Sequence, residues 1–176
     1  NAFNTITMST TGSNNASLYD SSALTIVSAD VGGNLSLSGG STIGQTGSIH
    51  ADALSVDTSL GPITLTNAGN DFATLVVSTS GLNDASFYDA SALSVTSANV
   101  GGTLNLSGAG SIGQTGQIHA ATLDVGTTNG AITLTNAGNS FGVASLSTSG
   151  SDDASIYDAA DLTIAATSVG GTLSVS

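Results

Sequence analysis

A nine-residue phrase, TLTNAGNDF at Thr64 to Phe72, returns as TLTNAGNSF at Thr133 to Phe141, 69 residues further on. The chain opens in the same phase with Asn1-Ala2-Phe3. Copies therefore run over 1–69, 70–138 and, cut short, 139–176. Roughly 42 of the 69 positions are identical between the first two, which excludes chance similarity. Repeats of this kind bury their apolar faces against one another, so residues 1–176 are read as a single solenoid segment. The chain starts and stops inside a repeat, and is read as a piece of something longer.

The second copy breaks into seven short pieces: ATLVVST (73–79), ASFY (85–88), LSVTS (93–97), TLNL (103–106), QIH (117–119), LDV (123–125) and AITLT (131–135). Each has partial two-residue alternation, the pattern of a half-buried strand. Turn formers separate them, among them Ser80-Gly81, Val100-Gly101-Gly102, Gly113-Gln114-Thr115-Gly116 and Asn129-Gly130. No window sustains helical spacing of apolar residues, so almost no helix is expected. An apolar-x-Val motif at Leu75, Leu93 and Leu123 marks a smaller unit of roughly 23 residues, the length of one coil with three short strands. This predicts an all-β, parallel β-helix with three coils per repeat and about seven to eight in all, roughly 35–38 Å long. Equivalent residues would then stand about 14 Å apart along the axis. SIGQTGQIHA, Ser111 to Ala120, is expected to form a bulged turn or an extra facet.

Charge narrows the partners. The chain has no Lys or Arg, all twelve acids are Asp, and the net charge is −12. Phosphate backbones are held mainly by Lys and Arg, so nucleic acid is excluded as a partner. Anionic membrane surfaces are disfavoured on the same ground, and no apolar run is long enough to insert into a bilayer.

The candidate sites each have a plain structural reading. Tyr19, Tyr88 and Tyr157 recur at one repeat position, each followed by Asp20, Asp89 or Asp158; an aromatic row for carbohydrate is one reading, rings covering a core edge the other. The neighbouring Asp is expected to make a local turn hydrogen bond. His50 and His119 are too far apart to share a metal and are read as turn residues bonded to backbone. Asp152, Asp153, Asp158 and Asp161 form the densest acidic group, but the first two occupy a slot filled by Asn14-Asn15 and Asn83-Asp84 in the other copies, which marks a turn. Weak surface calcium is the most this group suggests. Ser, His and Asp occur without a G-x-S-x-G elbow, and Thr64-Leu65-Thr66 recurs too rarely for an ice-matching array. No catalytic, cofactor-binding or metal-binding residue is assigned, and the chain is not expected to be an enzyme.

Gly138-Asn139-Ser140-Phe141, Leu146 to Gly150, Tyr157-Asp158, Leu162-Thr163-Ile164, Val169 to Leu173, Ser111 to Gly116 and Gly130 to Thr135 together resemble the repeats of large filamentous-haemagglutinin-like surface proteins. Such proteins are exported by two-partner, type V secretion in Gram-negative bacteria. The resemblance covers essentially the whole chain and implies a right-handed parallel β-helix in an extracellular fibre, an adhesin or toxin-delivery stalk. The functional expectation is a structural segment that projects a distal domain from the cell surface, packed against neighbouring repeats of the same parent chain. Alternatives are a filament subunit that stacks its coil ends coaxially, and an adhesin face that binds a host glycan or protein.

Overall fold

Alternation decides which side chains go inward. In strand Asn34–Gly39, Leu35 and Leu37 are fully buried while Asn34, Ser36 and Ser38 look outward. A computed structural model of residues 1–176 has seventeen strands, and this alternation recurs along the body; only the last two, Thr163–Ser168 and Leu173–Val175 in the final turn, are exposed throughout. There is no helix. Every strand pairing is parallel, and paired residues lie from 19 (Ala16 with Leu35) to 22 (Ile63 with Ala85) positions apart. Each such interval is one turn of a β-solenoid.

Two ladders run the length of the body. The first passes through Ile6 and Ile26, then along the Leu24, Ile43, Ile63, Ala85, Leu104, Leu123, Ala144 and Ile164 positions. The second passes through Ala16, Leu35, Leu54, Leu75 and Val95, then along the Leu93, Ile112, Ile132, Ala154 and Leu173 positions. Each ladder has nine rungs, so there are nine turns rather than seven to eight, with about 38 Å between the first and last. A short third strand completes the turns before the last two. In the first repeat it follows the first ladder, at residues 28–30, 49–51 and 71–72. In the second it follows the second ladder, at 98–100, 118–120 and 140–141.

The third strand changes place because a repeat does not hold a whole number of turns. Seven ladder positions (Leu24, Leu35, Ile43, Leu54, Ile63, Leu75, Ala85) pass before Leu93 restarts the sequence pattern, so 69 residues make three and a half turns. The expected three coils fall short because each apolar piece is its own half-turn, and seven of them fit in a repeat. SIGQTGQIHA is neither a bulged turn nor an extra facet: Ile112 is an ordinary rung and Ile118 begins the third strand, as in neighbouring turns, and both are fully buried. Equivalent residues therefore lie on different ladders, about 17 Å apart along the axis instead of about 14.

A single cluster of 35 apolar residues fills the interior. Phe72, Phe87 and Phe141 are its largest members, whereas Phe3, in the first turn, is 39% exposed. The corners stack closely. Gly81 has φ +63°, and a side-chain carbon on Gly101 would run into its carbonyl oxygen from the next turn. Gly12 with Gly32, and Gly150 with Gly170, repeat the contact, which explains the Val-Gly-Gly phrase in each copy.

Candidate functional site

Polar residues inside a solenoid need partners, and here all have them: no buried side-chain nitrogen or oxygen lacks a hydrogen bond. Asn70, at the end of the TLTNAGN phrase, is fully buried. Its Oδ1 accepts from Gln45 Nε2 at 2.8 Å and from the Ile49 N–H at 2.9 Å. Its Nδ2 donates to Gln45 Oε1 at 2.9 Å, Leu65 O at 3.0 Å and Tyr88 O at 3.2 Å. One amide thus joins three successive turns. Asn139 repeats the arrangement with Gln114, Ile118, Leu134 and Tyr157. The sequence places Asn70 in a turn and misses this role. The signal was present: Gln45 and Gln114 precede Asn70 and Asn139 by 25 residues and hold the same repeat position in both copies.

The Asp after each Tyr is a second staple. Asp89 is fully buried; its Oδ1 accepts from the Ser91 N–H at 2.8 Å, the expected local turn bond. Its Oδ2 also accepts from the Phe72 N–H at 2.8 Å, one turn back. Asp20 and Asp158 do the same with Ser22 and Phe3, and with Ala160 and Phe141. Burial alone would raise the Asp20 carboxyl. The Ser22 N–H and hydroxyl, the Phe3 N–H and the Asn1 amino group outweigh it and hold the carboxyl below its ordinary value.

The remaining candidates do not converge. Tyr19 and Tyr157 lie on the second ladder and Tyr88 on the first, so the three tyrosines form no row. Tyr19 is 56% exposed and the other two are half-buried. His50 and His119 sit on strands Ile49–Thr58 and Ile118–Thr127 rather than in turns. His50 does bond backbone, with Nε2 2.9 Å from Gly69 O. Asp152 and Asp153 are turn residues that cross between turns: Asp152 Oδ2 accepts from Gly130 N–H and Asp153 Oδ1 from Thr172 N–H, each at 2.7 Å. Asn15 and Asp84 serve Asn34 and Thr103 likewise, which is why the slot takes either residue. Asp161 is exposed. Thr64 and Thr133 point outward from different ladders. No three His or acidic side chains approach closely enough to hold one metal ion.

The surface has two shallow grooves, both on the first ladder, one mainly over the second repeat and the other over the third. One, of about 240 Å³, lies beside Tyr88 and Gly126; the other, of about 280 Å³, begins at the shared Ser147 and ends at Ser168.

Parallel strands wound into nine turns by a tandem repeat, with the interior polar groups joining turn to turn, define a β-solenoid repeat protein. Residues 13–79 and 82–148 match, as two successive copies, the family described as Repeats of unknown function (DUF5649), and the chain belongs to that family. No curated protein and no solved structure matches it.

Proposed function

We propose that this chain is a structural segment of a secreted bacterial surface fibre, a stalk that carries a distal domain away from the cell. In this reading it works by stiffness, without a reaction or a cofactor, and its partners are the neighbouring repeats of its parent chain. The observation that carries the reading is the pair of uninterrupted ladders with Asn70 and Asn139 clipping successive turns. Long-range parallel pairing of this kind resists bending, because each turn can move only against its two neighbours. The resemblance to filamentous-haemagglutinin-like repeats supports an extracellular, two-partner-secreted setting. The net charge of −12 with no cation supports solubility in such a fibre and disfavours nucleic acid as a partner.

Immunogold labelling of intact source cells with an antibody against this chain tests the proposal. Label on projections outside the envelope is expected. Label that appears only after lysis would overturn it. Electron microscopy of the isolated chain separates the stalk from a self-assembling subunit: short single rods are expected, and filaments would replace the first reading with the second.

A further inference from the structure

The two repeats present the same surface patch in two forms. On the second ladder the outward row of the first repeat is Tyr19, Ser38, Asp57 and Ser78. Sixty-nine residues later the first ladder carries Tyr88, Ser107, Gly126 and Ser147. In the first form Ser38 Oγ donates to Asp57 Oδ2 at 2.9 Å, and no groove is found there. In the second, Gly126 leaves the strip open, and a groove of about 240 Å³ is lined by Tyr88, Ser107, Gly126, Thr128 and Ser147.

The fold does not require that glycine. Its φ is not in the left-handed region, and a side-chain carbon there would meet nothing nearer than Ser147, at 4.0 Å. Asp57 shows that the equivalent position accepts a larger side chain. A glycine inside a strand weakens it, and one that packing does not demand is often a place where a ligand or another backbone approaches closely. From Ser147 the second groove continues the opening along the axis toward Ser168, with Asp124 as its one charged neighbour.

We infer that this groove binds a neutral saccharide, with one sugar ring lying against Tyr88 and further units running along the axis. The negative face of an aromatic ring attracts the partly positive C–H side of a pyranose, and the hydroxyl-lined wall suits a ligand rich in hydroxyls. A chain of net charge −12 without a cation repels acidic sugars, which leaves neutral ones. The volume is below the usual range of about 300–1,000 Å³ for drug-sized sites and fits a single ring. This assignment is independent of the fibre reading, since the isolated chain suffices to test it.

The test is saturation-transfer NMR on the 176-residue chain, with methyl glycosides of glucose, galactose, mannose and N-acetylglucosamine and neutral oligomers of each as probes. At least one should receive saturation on its ring C–H protons. Binding should fall about tenfold or more in Tyr88→Ala and in Gly126→Asp, and stay within about twofold of the parent in Tyr19→Ala. Circular dichroism checks that each variant folds. If either variant unfolds, Ser147→Gln blocks the same opening from the next turn and carries the same expectation. No transfer to any probe, or transfer that survives Gly126→Asp or its substitute, overturns the assignment.

Discussion

Replacing Asn70 with alanine should be strongly destabilising, as should the same change at its copy Asn139. The Ile49 N–H, now 2.9 Å from Asn70 Oδ1, would be left buried without an acceptor. An orphaned buried donor costs about 1–3 kcal/mol. Gln45 loses both halves of its reciprocal pair, each bond contributing about 0.5–1.5 kcal/mol net. Leu65 O and Tyr88 O also lose a donor. Gln45 is half-buried, so water can recover part of the deficit. The expected loss is therefore about 4 kcal/mol, a large share of the roughly 5–15 kcal/mol of an ordinary domain. Urea titration followed by far-ultraviolet circular dichroism measures it, and coincidence with near-ultraviolet tyrosine signals checks that the transition is cooperative. Amide hydrogen exchange gives the local readout: Ile49 should lose protection while Ile118, served by Asn139, keeps most of its own. Asn67→Ala is the control: the Asn67 side-chain bonds are exposed to water, one accepted from Gly69 N–H within its turn at 2.9 Å and one long bond to the preceding turn, Nδ2 to Thr46 O at 3.5 Å, so the loss should be about 1 kcal/mol or less. A loss below about 1 kcal/mol for Asn70→Ala, with Ile49 protection unchanged, would refute the clip.

Three further outcomes follow from the packing. Phe72→Ala should cost about 3–5 kcal/mol in the same titration and Phe3→Ala less than about 1, since Phe72 is fully buried and Phe3 is 39% exposed; equal losses would contradict the burial. Gly101→Ala drives a methyl into the Gly81 carbonyl and should destabilise by about 1–3 kcal/mol or more, while Gly126→Ala should be near neutral or stabilising. Asp20 has a folded pKa below its unfolded value, so its contribution is present above the unfolded pKa of about 3.9 and is lost as pH falls through the lower folded value. The Phe3 amide proton, which Asp20 Oδ2 accepts at 2.6 Å, should report that midpoint by NMR; a midpoint at or above about 3.9 would overturn the assignment.

Much of the fold was legible because alternation in a strand is local. Leu35 and Leu37, or Leu104 and Leu106, announce their inward face without help from the rest of the chain. The turn count was less legible. Ile43-Gly44-Gln45 reads as loop by composition, yet it is a rung, since Ile43 fills the core and its backbone pairs with Leu24 and Ile63 on either side. Asn70 was missed for a related reason. Asparagine prefers turns when only its neighbours are considered, whereas here it is paired with Gln45, 25 residues away in sequence. The tyrosines form no row because identical positions in the repeat do not share a face. Tyr88 joins the first ladder and Tyr19 the second, and only pairing partners tell them apart. For the same reason the groove at Gly126 gave no signal: Asp57 and Gly126 are one position in the repeat but face different sides.

Three and a half turns per repeat has a consequence for any longer array. Parity, rather than sequence, sets the side on which a feature appears. A partner fixed to one side would meet the same chemistry once every 138 residues, about 34 Å along the axis, with the intervening copy turned away. Excising or duplicating one repeat would leave the rod intact and its register sound. Everything beyond the change would nonetheless be presented to the opposite side, whereas a change of two repeats would restore it.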